Sequence, residues 1–260
     1  MSMALVTFSH AGRAVVARIG AAYPDAVPYF HRIVSKPDDA HVFDHVHDLS
    51  GDLFATCNVI VYVAPCGLVI RAIASYLHDK RTDPAVVVID AGARFVISLL
   101  CGHEGGANTW AVRLANVLDA EPVTTTTTDA CRDCIVGVGC RKNTPATAII
   151  DAICLVLNTH GIALDRVRML ASGDIKSHED SLYEAAEILG LPLRFITSQS
   201  ICESCRSFTH SAFVEASVGV PAVAEPAALL AGRRTKLLVP KTALQGVTVA
   251  VAKENCFSLE

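Results

Sequence analysis

Arg94-Phe95-Val96-Ile97-Ser98-Leu99-Leu100, continued by Cys101-Gly102-His103-Glu104-Gly105-Gly106-Ala107-Asn108, passes from a β-branched apolar run into a glycine-rich turn. Beyond it, Trp110, Val112, Leu114, Ala115, Val117 and Leu118 recur at the spacing of one helix face. Strand, turn and helix in that order are the repeating unit of a layered α/β fold. Glycines let a backbone approach a ligand closely, and the unpaired N–H groups of a helix's first turn favour anions. The turn is therefore a candidate cradle for a carboxylate or phosphate. A tight connection holding no ligand fits the same residues. His103 adds chemistry to the loop, because imidazole titrates near neutral pH.

The same alternation extends in both directions. Strands are expected at Ala4–Phe8, Val59–Val63, Ala85–Asp90 and Val96–Leu100, with helices near His10–Ala21, Gly67–Leu77 and Asn108–Leu118. Further on, Ile135–Gly139, Val167–Ala171 and Leu193–Ile196 read as strands. Thr144 and Pro145 read as N-cap and first residue of a helix running to about Asn158. Ser177-His178-Glu179-Asp180 resembles a capping box opening a helix that Gly190 would close. Pro226 starts an alanine-rich helix, and Lys236–Val239 and Val247–Ala252 are strand-like. Five threonines, Thr124–Thr128, and Asp129 interrupt the pattern, since β-branched hydroxyl residues compete for backbone hydrogen bonds. The expected fold is α/β, with two modules, residues 1–130 and 135–260, each a sheet flanked by helices.

Composition narrows the function. Of 260 residues 52% are hydrophobic, enough for a substantial core, and no apolar run reaches the ~18 residues of a membrane span. Met1-Ser2-Met3-Ala4-Leu5-Val6 lacks the basic and apolar segments of an export signal, which points to the cytoplasm. A formal charge of −4 with no basic stripe argues against nucleic acid and for a small-molecule ligand. His31, His41, His45 and His47 show no ligand spacing and read as solvated or structural.

Several stretches carry a resemblance. In the first module they are Cys66-Gly67-Leu68-Val69-Ile70-Arg71-Ala72-Ile73, Asp79-Lys80-Arg81-Thr82-Asp83-Pro84-Ala85-Val86-Val87-Val88, the Gly102–Asn108 loop, and Pro122-Val123-Thr124-Thr125 with Asp129. In the second they are Val136-Gly137-Val138-Gly139-Cys140-Arg141-Lys142, Ser172-Gly173-Asp174-Ile175-Lys176 with Glu179, and Val218-Gly219-Val220-Pro221-Ala222-Val223-Ala224-Glu225-Pro226-Ala227-Ala228. In this order they resemble the cobalt-precorrin-5A hydrolase (CbiG) family of anaerobic cobalamin biosynthesis. Many members carry a middle segment between the modules, whereas here the threonine run leads almost directly into the second.

The resemblance implies opening of a δ-lactone on the macrocycle of cobalt-precorrin-5A and release of acetaldehyde, giving cobalt-precorrin-5B. It implies no cofactor, the cobalt being carried by the substrate, and no metal site. Neighbouring enzymes of the pathway and further copies of the chain are conceivable partners. Such chemistry needs a base, oxyanion stabilisation and a grip on many carboxylates. His103 is the first choice for proton transfer, or its ring hydrogen-bonds the loop, with Glu104 ranked below it. Asp174, Lys176 and Glu179 follow a strand's carboxyl end, where open α/β sheets bind ligands. Glu179 equally suits a helix N-terminus, as does Glu225 before Pro226. Gly67, Arg71, Lys80, Gly102, Gly105, Gly106, Asn108, Thr125, Arg141 and Lys142 are the expected substrate contacts, arginine being able to fork a carboxylate. A cleft between the modules is expected, built from the Gly102–Asn108 loop and the Asp174–Lys176 turn.

Two alternatives stand beside the enzyme. Cys131-Arg132-Asp133-Cys134 and Cys202-Glu203-Ser204-Cys205, with Cys140 near the first, could hold zinc or an iron–sulfur cluster if the pairs meet in space. A corrinoid carrier would use the same loop and cations for binding alone. A dinucleotide site is disfavoured, because no G-x-G-x-x-G follows the first strand.

Overall fold

The computed structural model describes residues 2–35 and 40–257. The chain divides into two compact units between Thr126 and Thr127.

In chain order the first unit comprises β1 (Met3–Thr7), α1 (His10–Ala22), β2 (Val27–His31), β3 (His41–Phe43), α2 (Val46–Thr56), β4 (Val59–Val63), α3 (Cys66–Ile73), β5 (Ala85–Ile89), β6 (Phe95–Leu100), α4 (Ala107–Leu118) and β7 (Glu121–Val123). Its seven-stranded sheet has the order β3-β2-β1-β4-β5-β6-β7. Strands β1 to β5 are mutually parallel, β6 runs antiparallel to β5, and β7 follows β6. Helices cover both faces, which is why β1, β4 and β5 are continuous apolar runs rather than alternating ones. Leu5, Val61 and Val87 meet α1 and α4 through Val16, Ile19, Ala111 and Leu114. Ala4, Ile60, Tyr62 and Val88 meet α2 and α3 through Leu53, Val69 and Ile73.

The second unit comprises α5 (Thr127–Ala130), β8 (Cys134–Cys140), α6 (Ala146–Thr159), β9 (Val167–Gly173), a 3-10 turn (Asp174–Lys176), α7 (Asp180–Leu189), β10 (Leu193–Ile196), α8 (Ser198–Cys202), α9 (Ala212–Val218), α10 (Ala224–Leu230), β11 (Thr235–Leu244) and β12 (Val247–Glu254). The sheet order is β10-β9-β8-β12-β11, with β8, β9 and β10 parallel and β12 antiparallel to both its neighbours. Val136, Val138 and Leu170 pack on α6 and α7. Ile135, Met169 and Ala171 face α8 and α10. Helix α10 lies so close to β8 that a Cβ on Gly137 would collide with the Ala224 carbonyl.

Three helix starts differ from the sequence reading. Pro145, not Thr144, is the N-cap of α6, and the Thr144 hydroxyl donates instead to the Arg141 carbonyl at 2.8 Å. The Ser177 capping box does not form. Ser177 closes the 3-10 turn by donating its N–H to the Asp174 carbonyl, and Glu179 is the N-cap of α7. Helix α10 begins at Ala224, two residues before Pro226. The strand expected at Lys236–Val239 extends over Thr235–Leu244, and β2, β3 and α2 are elements beyond those expected.

Candidate functional site

In the first unit the glycine loop leaves β6 at Leu100, which pairs with Val86 at the start of β5. Cys101 (φ 56°) and Gly106 (φ 79°) turn the chain in the left-handed region, a conformation that glycine tolerates and cysteine rarely adopts. Four of the loop's amides bond within it. Gly105 and Ala107 donate to the Cys101 carbonyl at 3.1 Å, Asn108 to that of Gly102 at 3.0 Å and Gly106 to that of His103 at 3.2 Å. Those four donors point into the loop. Gly102 and Gly105 are packing requirements: a Cβ would come within 2.7 Å of the Thr126 methyl in one case and 2.6 Å of Cys101 Cβ in the other. Asn108 is buried and its Nδ2 donates to Thr126 Oγ1 at 2.9 Å, so Thr126 fastens the loop, while Thr125 is exposed.

What the loop presents outward is side-chain chemistry. His103 and Glu104 are exposed, and Glu104 meets Lys80 at 2.6 Å, joining the Asp79–Asp83 turn to the loop. The Lys80 ammonium, with the N–H of Glu104 itself, holds the Glu104 carboxyl below the usual range. Cys101 lies behind them, its thiol pushed up to about 11 by burial and then by Asp83, Glu104 and Asp79. Gly67 is not part of this group. It follows the carboxyl end of β4, whereas Lys80 and the glycine loop lie at the amino ends of β4 and β5, the opposite edge of the sheet. Arg71 folds back onto its own helix, its Nη1 donating to the Gly67 carbonyl at 2.8 Å.

In the second unit the expected residues do converge. Cys140, Gly173 and Ile196 end parallel strands, so Arg141–Asn143, Asp174–Glu179 and Thr197–Ser198 share one carboxyl edge. Lys176 Nζ donates to Glu179 Oε1 at 3.2 Å, with side chains only 13% and 15% exposed, and the Asn143 N–H reaches Glu179 Oε2 at 3.3 Å. Burial works against the Glu179 charge, yet Lys176, the Asn143 N–H and Lys142 together hold its carboxyl below the ordinary value. Ser198 Oγ donates to Asp174 Oδ1 at 2.5 Å. Arg141 and Lys142 are exposed beside these groups, and the main chain of Arg141 is anchored to the Gly246 carbonyl at 3.0 Å. An open cleft of about 420 Å³ runs between the starts of α6 and α7, lined by Asn143, Thr144, Thr147, His178, Glu179 and Glu184.

Sequence reasoning did not single out Asn143, Ser198 or Thr126. Asn143 has φ 60°, which asparagine accepts more readily than most residues, and that preference was the one available signal. Glu225 is 1% exposed and its oxygens take the Thr209 N–H at 2.5 Å and the Lys241 N–H at 2.8 Å, so it ties the 209–211 segment to β11.

The cysteines do not assemble. All ten are free thiols, and among the described residues no three His, Cys, Asp or Glu side chains are placed to hold a metal ion. Cys134 is buried in β8 and its thiol is pushed up to about 12, first by burial and then by Asp133. Cys131, Cys202 and Cys205 are exposed. Among the described residues no helix is long and apolar enough to cross a membrane.

Comparison with known proteins follows the same division. A family described as cobalamin synthesis G N-terminal matches residues 48–129, and one described as cobalamin synthesis G C-terminus matches residues 134–252. The chain is 24% identical over 290 positions to a protein of Salmonella typhimurium named cobalt-precorrin-5A hydrolase, covering 76% of this chain and 82% of that one. A Priestia megaterium protein of the same name is 35% identical over 133 residues, 48% of this chain and 35% of that one. Protein CobE of a Sinorhizobium species is 34% identical over 128 residues, 48% of this chain and 83% of its own length.

Proposed function

The chain belongs to the cobalamin synthesis G family, and on that premise we propose that it is a cobalt-precorrin-5A hydrolase. The observation that carries the reading is the succession of both family regions, 48–129 and 134–252, in a single chain. Relatives that bear the hydrolase name support it.

The reaction adds one water and releases one acetaldehyde. Water attacks the lactone carbonyl, and its proton must be taken up. The ring-opened alcohol then loses its hydroxyl proton, the oxygen forms the acetaldehyde carbonyl, the carbon–carbon bond breaks, and its electron pair passes to the macrocycle. His103 is assigned the first proton, being an exposed imidazole on the turn. Asp174 is assigned the hydroxyl proton. Lys176, held by Glu179, offsets the developing negative charge on the alcohol oxygen. Arg141, Lys142 and Lys80 are exposed cations suited to the substrate's carboxylate arms. Glu225 supports the fold, and the cobalt belongs to the substrate.

Anaerobic incubation with cobalt-precorrin-5A, comparing wild type with His103→Ala and Lys176→Ala, tests these roles. Loss of a general base lowers kcat by about 10²–10⁴-fold. Unchanged turnover in His103→Ala removes that residue from the mechanism, and binding of the macrocycle without acetaldehyde would make the protein a carrier.

A further inference from the structure

We propose that Ser198 is a positioning residue for Asp174, fixing one carboxylate oxygen so that the other is presented as a proton acceptor. The inference deepens the hydrolase reading and takes the reaction it serves from that reading. Its basis is a contrast with four other buried or half-buried carboxylates of the second unit. Asp133 gives both oxygens to the Arg166 guanidinium, at 3.0 and 2.7 Å. Glu254 gives one to the Arg233 N–H at 2.7 Å and the other to Arg168 at 2.9 Å. Glu225 and Glu179 are likewise held through both oxygens.

Asp174 is held through one. Oδ1 takes the Ser198 hydroxyl at 2.5 Å, while Oδ2 receives no hydrogen bond among the described residues and is not a buried unsatisfied atom, so solvent reaches it. A half-buried carboxylate with one oxygen fixed and one open is oriented without being consumed.

Among the described residues the Ser198 hydroxyl makes no other hydrogen bond. Thr197 already caps α8, its Oγ1 accepting the Ser200 N–H at 3.2 Å. The pairing of Ile196 with Gly173 ends the two strands side by side, so the 3-10 turn that opens at Asp174 and helix α8 that opens at Ser198 leave the sheet from neighbouring positions. In the step served, the alcohol O–H bond breaks and its proton goes to Asp174 Oδ2. The carbon–oxygen π bond forms as the carbon–carbon bond breaks, and the electron pair goes to the macrocycle, with no oxidant or reductant consumed.

Two measurements on the full chain test this. In turnover, Ser198→Ala slows acetaldehyde release by about ten- to a hundredfold at unchanged KM and accumulates the macrocycle carrying one added water. Ser198→Thr restores most of the rate, and Ser198→Ala adds no further loss in an Asp174→Asn background. Full activity in Ser198→Ala, or losses that multiply in the double variant, overturns the proposal. Independently of turnover, the deuterium isotope shift at Asp174 Cγ, assigned with Asp174→Asn, is present in wild type and Ser198→Thr and lost in Ser198→Ala. Its absence from wild type overturns the clamp. Its presence in a protein that releases no acetaldehyde keeps the clamp and removes the hydrolase reading.

Discussion

Replacing Asp133 with asparagine should destabilise the second unit by about 1.5 kcal/mol at neutral pH. The carboxylate side chain is 9% exposed and forks Arg166 through two hydrogen bonds, with Lys253 at 3.7 Å and the Cys134 thiol at 3.4 Å. A hydrogen bond to a charged group contributes ~1.5–3 kcal/mol. The Arg166 side chain is 43% exposed, so solvent screening takes the expected loss to the low end of that range. For a unit of this size the corresponding fall in Tm is about 5 °C. Burial opposes the charge on Asp133, but Arg166, the Cys134 thiol and Lys253 hold its carboxyl below the ordinary range. A depressed folded-state pKa means that the stabilisation is complete above the unfolded carboxylate value, about 4, and is lost as pH falls through the folded value. Thermal melts of wild type and Asp133→Asn should therefore separate at pH 7 and converge toward the acid limit. Equal Tm values at pH 7, or a gap unchanged at low pH, would refute the argument.

Two further outcomes follow from the loop and the thiols. Gly105→Ala forces a Cβ to within 2.6 Å of Cys101 Cβ and 3.0 Å of its carbonyl oxygen, so the loop must shift at a cost of about 1–3 kcal/mol. Amide exchange over 101–107 should accelerate, and a variant with wild-type exchange would show that the turn tolerates the methyl. With thiols at about 11 and about 12, Cys101 and Cys134 hold on the order of 0.1% and 0.01% thiolate at pH 8. Mass mapping after brief alkylation of the native chain should find Cys131, Cys202 and Cys205 modified first, and early labelling of Cys134 would contradict its burial.

The layered fold was legible because β1, β4, β5 and β8 are unbroken apolar runs separated by helix-spaced segments, a pattern that depends on burial alone. Strand direction was not. The Asp90–Phe95 hairpin, held by Asp90 Oδ1 accepting the N–H groups of Arg94 and Phe95, reverses β6 against β5, and hydrophobic periodicity carries no sign of direction. That reversal sets Gly67 at one edge of the sheet and the glycine loop at the other. Strand β2 was missed because Val27-Pro28-Tyr29-Phe30-His31 is short and only partly buried. In the second unit Asp174, Lys176 and Glu179 were found because they follow a clear strand. Ser198 and Asn143 were not, since their partners lie 24 and 36 residues away and only the sheet register brings them together. The capping-box reading failed because the 3-10 turn consumes Ser177 before α7 begins.

Single turnover in ¹⁸O-water distinguishes the proposed hydrolysis, coupled to carbon–carbon cleavage, from binding alone. Attack of water on the lactone carbonyl, as proposed, would give one acetaldehyde per macrocycle and one ¹⁸O in the new carboxylate of the product. A macrocycle recovered bound, unlabelled and unchanged in mass, with no acetaldehyde, would contradict it.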